Sequence, residues 1–291
     1  MSRNILVVGN CQIGGIASAL QWLFPDDRVS AQAFNPHVFK GDKDALVQRI
    51  TAADIVLGGD FVETFMRRKL APVNQFITLP SLYFNAFHPD IVAAKNKATG
   101  ERLPLRYNSA ICLWAYAHGL DPTRTVGLFN TGTFKALGYL DRWAGSVARM
   151  QAAFAAANLD FDRFFCAVKR DGVFMYTMNH PRISLLTWLA KLLALRLGRN
   201  ETIWRKDIPI SDALGRVEIW PVYPEVAHGL AVPGSYTWFV ERGRLVESLP
   251  DYVAYTFERY ASTGVAPQDI EMMGADPAHY DRVLGAAIQE E

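Results

Sequence analysis

The chain opens with a short apolar run, ILVV at residues 5–8, which stops at Gly9. β-Branched and aliphatic residues in such a run fit a strand that is covered on both faces. After a polar turn, apolar residues recur at the three-and-four spacing of a helix: Ile13, Ile16, Ala17, Leu20 and Leu23. The opening segment therefore predicts a strand, a tight loop and a helix over 13–24.

The same alternation continues through the first ninety residues. Residues 45–52 have a helical pattern, residues 54–57 have a strand pattern, and NQFITLPSLYF at 74–84 supplies a third strand. Strands that alternate with helices at this spacing form βαβ units, in which the sheet is parallel and the crossovers are right-handed. Because ligands of such sheets bind outside the carboxyl ends of the strands, we expect Cys11, residues 58–60 and the FHPD turn at 87–90 to gather there.

The pattern becomes mainly helical from about residue 108, with acidic residues near a helix break at 158–162. A short strand at 173–176 is expected to join the sheet. From about residue 205 Gly and Pro are frequent, and a helix is predicted near 248–262. We therefore predict one α/β domain, 1–291, in three parts: an N-terminal βαβ part (1–107), a large helical insertion (108–204) and a loop-rich C-terminal part (205–291).

The most apolar stretch of the chain is ISLLTWLAKLLALRLGRN at 183–200. Lys191 and Arg196 interrupt it, and it is shorter than the roughly 20 residues that a bilayer span needs. It therefore predicts a buried or half-buried helix that does not cross a membrane. An alternative that stays open is an interfacial helix over 183–197, whose apolar face meets a membrane surface or a polysaccharide-assembly partner.

Composition narrows the class of protein. The chain has 291 residues, of which 50% are hydrophobic and 20% charged, so it can bury a large core. Thirty basic residues against 29 acidic ones leave a formal charge of +1, which lacks the electrostatic footprint of a nucleic-acid-binding protein. Three widely spaced cysteines argue against a disulfide framework and favour a reducing compartment. We expect a cytoplasmic protein, with a peripheral position at the inner face of the membrane as an option, because the N-terminal apolar run is too short for a signal peptide.

The opening turn, GNCQIGG at 9–15, holds the first candidate for chemistry. It lacks the glycine spacing of a dinucleotide fingerprint and the Lys-Ser/Thr pair of a phosphate loop. Cys11 instead stands where a strand ends and a helix begins, a position at which backbone N–H groups favour a thiolate and can hold an oxyanion. It is a candidate nucleophile, with a buried structural cysteine as the alternative. Cys112 and Cys166, in apolar surroundings, are expected in the core.

A thiol nucleophile needs a base, and His88 in FHPD and His180 in NHP are the candidates. Each precedes a proline, which biases the histidine out of the α conformation and marks a fixed turn. The remaining histidines are expected to have no role in catalysis or binding: His37, His118, His228 and His279. No histidine or cysteine has the spacing of a metal site, so we expect no zinc.

Three further residues are candidates to stabilise an oxyanion at the same edge. Gly59 follows a predicted strand, where glycine permits a close backbone approach, and its N–H is a candidate second oxyanion donor beside that of Cys11. The alternative is an ordinary turn at the end of a strand. Asn10 and Asn85 are candidate side-chain donors.

Three segments, ILVVGNCQ at 5–12, FHPD at 87–90 and NHP at 179–181, resemble the WcbI family of capsular polysaccharide biosynthesis proteins. The resemblance implies a coenzyme A binder that acetylates capsule sugars, on a parallel-sheet, SGNH/flavodoxin-like core. Cys11 then takes the place of the serine in SGNH hydrolases, Gly59 that of their second-block glycine and Asn85 that of their third-block asparagine. No C-terminal Asp-x-x-His follows, so the base is His88 or His180, with Asp90 as a candidate orienting carboxylate.

A coenzyme A or acetyl-coenzyme A cofactor also needs polar and basic contacts. The candidates implied by the resemblance are Asn10, Gln12, Arg67, Arg68, Lys69, Arg182, Lys191, Arg196 and Arg199. The leading hypothesis is a coenzyme A-dependent O-acetyltransferase that acts on a sugar or sugar-nucleotide in surface polysaccharide synthesis. The alternatives are an esterase or thioesterase on the same fold, and a non-catalytic binding protein of polysaccharide assembly.

Overall fold

A computed structural model of the chain describes residues 2–36 and 39–289, so His37 lies outside the described residues. The helices are α1 (Ile13–Leu23), α2 (Lys43–Thr51), α3 (Asp60–Arg68), α4 (Ala110–Ala117), α5 (Pro122–Gly127), α6 (Thr131–Ala136), α7 (Arg142–Ala156), α8 (Phe161–Val168), α9 (Ile183–Arg196), α10 (Pro224–Leu230), α11 (Leu249–Ala261) and α12 (Pro277–Ala287). Short 3-10 helices lie at Lys169–Asp171, Glu201–Arg205, Leu214–Arg216, Glu241–Gly243 and Pro267–Asp269.

The strands are β1 (Asn4–Gly9), β2 (Arg28–Ala33), β3 (Ile55–Gly58), β4 (Phe76–Thr78), β5 (Ile91–Asn96), β6 (Asn108–Ser109), β7 (Met175–Thr177), β8 (His180–Pro181), β9 (Trp238–Val240), β10 (Arg244–Val246) and β11 (Ile270–Met273). Two compact units are built from them. Unit 1 takes residues 1–83, 147–175 and 179–216, and unit 2 takes 84–146, 176–178 and 217–291. These segments do not follow the boundaries at 107 and 204 that the sequence suggested.

Unit 1 is built on a parallel sheet with the strand order β2-β1-β3-β4 among the described residues. Ile5 of β1 pairs with Val29 on one side and with Ile55 on the other, so β1 is a central strand. Its residues 5–8 are fully buried, as their apolar character predicts. The predictions of α1, α2, β3, β4 and a parallel α/β sheet are therefore confirmed.

The edge strand β2 is missing from the prediction. Its sequence, RVSAQA, has a single large apolar residue, and its side chains are exposed or half-buried. An edge strand that faces solvent needs no apolar run, so the hydrophobic pattern carries no signal for it. Its place in the sheet comes instead from parallel pairing with β1 along all six residues.

Helices α1 and α9 pack closely in unit 1, and Gly15 permits this approach. A Cβ atom at Gly15 would lie 2.5 Å from Cδ1 of Leu186 and 3.1 Å from Cδ1 of Ile183. Most apolar residues of α9 are buried, and so is Lys191, whose Nζ donates to the carbonyl oxygen of Trp204 at 3.2 Å. The buried-helix prediction for 183–197 is confirmed. The alternative of an interfacial contact through 183–197 stays a prediction.

The mainly helical part after residue 108 is confirmed by α4–α9, with the break between α7 and α8 near the predicted position. Two expectations are wrong. The strand near 173–176 is β7, which is not one of the strands of the parallel sheet in the described chain. The C-terminal part contains α11 as predicted, but it also contains α10, α12, the antiparallel pair β9-β10, and β11, which pairs with β5.

No helix among the described residues is long and apolar enough to cross a bilayer.

Candidate functional site

A cavity of about 400 Å³ lies in unit 1 at the carboxyl ends of the parallel strands. Backbone bonds hold these ends in place: Phe34 N–H donates to Gly9 O and Leu79 N–H donates to Gly58 O, both at 2.8 Å. The residues that line the cavity come from the ends of β1 and β4, the starts of α1 and α3, and α7. They are Val8, Gly9, Asn10, Gln12, Ile13, Ile16, Gly59, Asp60, Phe61, Thr78, Leu79, Pro80, Ser81, Ala153 and Ala156.

Cys11 lies between two residues that line this cavity, and it is exposed. The turn that carries it is held by Asn10, whose Oδ1 accepts from the backbone N–H of Gln12 at 3.1 Å. The backbone carbonyl of Asn10 accepts from the N–H of Ile13 at 3.3 Å, which starts α1. The structure thus places an accessible thiol at the beginning of α1, beside the cavity.

The other two cysteines differ from each other. Cys112 is buried in α4, as expected, and burial raises the pKa of its thiol to about 12, which keeps it protonated. Cys166 is exposed, so the prediction of a core position is wrong. In α8 the buried face is formed by Phe161, Phe164 and Val168, and the 3.6-residue period turns Cys166 away from it.

Gln12 connects the opening turn to a distant part of the chain. Its side chain is buried, and Nε2 donates to the carbonyl oxygens of Leu82 at 3.1 Å and Asn179 at 2.8 Å. Both hydrogens of the amide nitrogen are therefore used within the fold. The amide nitrogen of Gln12 therefore holds the turn that carries Cys11, and the prediction that Gln12 contacts a cofactor stays a prediction.

His180 directly follows Asn179 and is buried in β8. Cys11 and His180 are thus the chain neighbours of Gln12 and Asn179, which share a hydrogen bond of 2.8 Å. Both belong to unit 1. This hydrogen bond anchors the segment that carries His180 to the Cys11 turn.

His88 and Asn85 belong to unit 2. His88 is buried, and its Nε2 lies 3.0 Å from the carbonyl oxygen of Trp220. A carbonyl oxygen only accepts, so Nε2 is the protonated ring nitrogen. Asn85 Oδ1 accepts from Oγ of Ser146 at 2.8 Å. Each side chain has a structural partner within its own unit.

Asp90, the candidate orienting carboxylate, lies in unit 2, and its orienting role stays a prediction. Its carboxylate is fully buried in unit 2, where it accepts from the hydroxyls of Tyr139 at 2.8 Å and Tyr223 at 2.9 Å. The backbone N–H of Ile111 at the start of α4 donates to it at 3.2 Å. Burial raises the pKa of Asp90 to about 6. The residue is the centre of a structural polar network in unit 2.

Gly59 lines the cavity and is the N-cap residue of α3, where its carbonyl oxygen accepts from the N–H of Val62 at 2.8 Å. A Cβ atom at this position would lie 2.8 Å from the ring of Phe61. The glycine therefore leaves room for the Phe61 ring against the backbone. The starts of α1 and α3 both line the cavity, and N–H groups at helix starts are donors suited to a developing negative charge.

The predicted phosphate contacts are spread over unit 1. Arg67 and Arg68 end α3, about 12 Å along the helix axis from the cavity at Asp60, and Arg67 pairs with Glu63 at 2.8 Å. Arg199 stacks on Phe24, 4.6 Å from the ring centroid.

Phe24 follows α1, and Arg3, which precedes β1, stacks on the same ring. Arg199 therefore lies at the amino end of β1, remote from Cys11.

The other basic candidates of unit 1 have different surroundings. Lys69 pairs with Asp44, and Arg196 donates to Ala157 O. Arg182 is exposed as well, and it differs from these residues by its place at the N-cap position of α9, two residues after His180.

Sequence reasoning missed several cavity residues, namely Phe61, Thr78 and Ser81. Their available signal is their position just after predicted strands, at the edge where ligands of parallel sheets bind. No group of three or more His, Cys, Asp or Glu is placed to hold a metal ion in the part of the chain that the structure describes.

The fold and the site define an α/β protein with an exposed cysteine beside a cavity at the carboxyl edge of a parallel sheet. The chain belongs to the WcbI family, since the profile of the family described as "Polysaccharide biosynthesis enzyme WcbI" matches residues 4–202. It is therefore a member of a family of polysaccharide biosynthesis enzymes.

A solved structure supports the same fold. It is 18% identical in sequence with a TM-score of 0.63, and the match covers 98% of this chain and 96% of the other. That protein is described as WcbI, a novel polysaccharide biosynthesis enzyme, in its native form without a disulfide bond between coenzyme A and one of its cysteines. No curated protein sequence matches the chain.

Proposed function

We propose that this protein is a coenzyme A-dependent O-acetyltransferase that acetylates a sugar hydroxyl in the synthesis of a surface polysaccharide. The observation that carries the proposal is the exposed Cys11 thiol between two cavity-lining residues. The structurally similar WcbI protein is described by the absence of a disulfide between coenzyme A and one of its cysteines. Cys11 is the residue of this chain that we assign to the corresponding place.

Acetyl transfer through Cys11 is chemically balanced. The Cys11 thiolate attacks the acetyl carbonyl carbon, a bond from carbon to Sγ forms, and the bond to the coenzyme A sulfur breaks as its thiolate leaves. A sugar hydroxyl then attacks the acetyl-cysteine, His180 takes the hydroxyl proton, and Cys11 is released as a thiolate. Exchange of one thioester for another has little cost in free energy. N–H groups at the starts of α1 and α3 are the candidate donors to the oxyanions.

Arg182 is the basic residue that we assign to a coenzyme A phosphate. It is exposed, and its backbone N–H donates to Phe174 O at 2.9 Å, which fixes the start of α9 near His180. An arginine guanidinium matches phosphate geometry with paired N–H donors. Arg67, Arg68 and Arg199 are not part of this proposal, because of their distance along α3 or their position at the other end of β1.

The finer fold assignment and the location belong to the same proposal. The strand order β2-β1-β3-β4 corresponds to the first four strands of a flavodoxin-like sheet, which supports an SGNH/flavodoxin-like core. A reduced Cys11 requires a compartment in which thiols persist, and the cytoplasm provides one.

A thioesterase is the second candidate, and the exposure of Cys11 favours it, because water can reach an acetyl-cysteine there. The two activities differ in what consumes the acetyl group. A thioesterase releases coenzyme A from acetyl-coenzyme A without an acceptor, and sugars do not raise that rate. A transferase releases it slowly until an acceptor sugar is added.

Coenzyme A binding is tested by thermal unfolding. A ligand that binds only the folded chain adds about 2.7 kcal/mol to the free energy of unfolding at a hundredfold excess over its Kd, so a rise in Tm is expected with coenzyme A. Arg182→Ala should reduce this rise, whereas Arg199→Ala, a matched arginine at the other end of β1, should leave it unchanged. An unchanged Tm of the wild-type chain at millimolar coenzyme A removes the proposal.

A further inference from the structure

The cavity beside Cys11 is lined by one charged side chain in the part of the chain that the structure describes, and its charge is negative. Among the described residues that line it, Asp60 is the one with a formal charge, and no lysine or arginine is present. A carboxylate repels phosphate groups, and a phosphate placed there would find no cationic partner. We therefore expect the phosphate groups of the cofactor to lie outside this cavity.

The remaining lining suits an uncharged molecule with hydroxyl groups. Asn10, Thr78 and Ser81 supply polar side chains. Asp60 is exposed, and an ionised carboxylate accepts hydrogen bonds from two hydroxyls at once. The volume of about 400 Å³ falls within the range of small-molecule sites, roughly 300–1,000 Å³.

Phe61 adds a flat apolar surface at the same place. Phe61 is 37% exposed, which is high for a large aromatic residue, and it lines the cavity. The ring lies against Gly59 and within 6.0 Å of the Phe34 ring, so its position is fixed on two sides. An exposed aromatic ring beside hydrogen-bonding groups is suited to the apolar face of a pyranose.

We propose that this cavity is the acceptor subsite and that it takes an uncharged pyranose, with Asp60 binding vicinal hydroxyls and Phe61 stacking on the ring. The inference rests on the proposed function, because it names the substrate class of the transfer from Cys11. A sugar-nucleotide acceptor would place its pyrophosphate outside the cavity.

The test measures sugar binding and coenzyme A binding separately on the full chain. Saturation-transfer NMR is recorded with the methyl glycosides of glucose, galactose and mannose, with N-acetylglucosamine, and with glucose 6-phosphate. We expect at least one neutral sugar to bind, and glucose 6-phosphate to bind more weakly than methyl glucoside. Phe61→Ala and Asp60→Asn should each weaken sugar binding about fivefold or more and leave the coenzyme A-induced rise in Tm unchanged.

Two substitutions outside the cavity serve as matched controls. Trp22→Ala removes an aromatic side chain that is 39% exposed, and Glu63→Gln neutralises a carboxylate one turn further along α3. Both variants should bind the sugar like the wild-type chain.

The proposal is overturned if no neutral sugar binds the wild-type chain, or if glucose 6-phosphate binds as well as methyl glucoside. It is also overturned if Asp60→Asn or Phe61→Ala lowers the coenzyme A-induced rise in Tm, since the cavity would then hold the cofactor arm. A wild-type chain that binds a sugar but gains no stability from coenzyme A contradicts the proposed function and leaves the sugar site intact.

Discussion

The side-chain amide of Gln12 donates a hydrogen bond to the carbonyl oxygen of Asn179 at 2.8 Å and thereby ties the turn of Cys11 to the turn of His180. The two turns are far apart in the sequence and carry the proposed nucleophile and base. The buried amide of Gln12 thus links these two chain segments in addition to the packing of α1 on α9.

Gln12→Ala should lower both stability and turnover. The substitution removes the hydrogen bonds of Gln12 to the carbonyl oxygens of Leu82 and Asn179, which costs about 1–3 kcal/mol in the free energy of unfolding. Loss of the link also loosens the position of His180, so kcat should fall more than coenzyme A affinity. Denaturant unfolding and steady-state kinetics of the same preparation measure both effects.

Gln21 offers a matched control at the other end of α1. Its Nε2 also donates to two backbone carbonyl oxygens, those of Phe24 at 3.2 Å and Asp27 at 2.9 Å. Gln21→Ala should cost similar stability without a selective loss of kcat. Equal kinetic losses in the two variants would mean that the Gln12 link has no special role in catalysis.

His180→Ala should lower kcat by roughly a hundredfold or more, since general-base catalysis raises a reaction rate by a factor of about 10²–10⁴. The affinity for coenzyme A should stay nearly unchanged. His88→Ala should mainly reduce stability, because it removes a buried hydrogen bond to Trp220 O in unit 2. Kinetics and thermal unfolding of both variants separate the two roles. A full loss of turnover in a stably folded His88→Ala chain would assign the base to His88 instead.

Adjacent glycines at the start of α1 should respond in opposite ways to alanine. At Gly14 an added Cβ meets nothing within 4 Å, so Gly14→Ala should stabilise the helix by up to about 1 kcal/mol. At Gly15 the Cβ would lie 2.5 Å from Leu186 Cδ1, and Gly15→Ala should cost about 1–3 kcal/mol as α1 and α9 separate. Urea unfolding measures both. A stabilised Gly15→Ala chain would contradict the close packing of α1 on α9.

The elements around Cys11 were predictable because their signals are local. The buried run of β1, the three-and-four spacing of α1 and the glycines after β3 are all visible in short windows of sequence. Edge strand β2 lacks such a signal, since solvent-facing side chains need not be apolar. The exposure of Cys166 follows from the helical period of α8, which outweighs its aromatic neighbours.

The link between the His180 segment and the Cys11 turn was not predictable from the sequence. His180 and His88 both precede a proline after an extended segment, so their local patterns are equivalent. The link depends on the path of the chain, which leaves unit 1 after residue 83 and returns at residue 147. The Gln12 contact to Asn179 joins residues 167 positions apart, and no local pattern reports such a pair.

Asp90 should make the stability of the fold depend on pH. Burial raises the pKa of its carboxyl from 3.8 to about 6, so the folded chain binds this proton more tightly than the unfolded chain does. The stabilisation of the folded chain by protonated Asp90 is fully present below about pH 4 and is lost as the pH rises through about 6. The free energy of unfolding falls by about 3 kcal/mol in total over this range. Asp90→Asn cannot ionise and should lack this part of the pH dependence.

The measurement is the difference in the free energy of unfolding between Asp90→Asn and the wild-type chain, taken from pH 4 to pH 7. Because both chains share all other titrating groups, the difference isolates Asp90. A difference that does not change with pH, or that changes in favour of the wild-type chain as the pH rises, would contradict a raised pKa at this residue.

The most direct test of the account is mass spectrometry of the chain after incubation with acetyl-coenzyme A in the absence of acceptor. We expect one acetyl group on the peptide that contains Cys11, no acetyl group on the peptide of Cys166, which is also exposed, and release of the acetyl group when an acceptor sugar is added. Cys11→Ala should lose both the adduct and turnover, and Cys166→Ala should keep both. An unmodified Cys11 peptide together with an active Cys11→Ala chain would contradict transfer through Cys11.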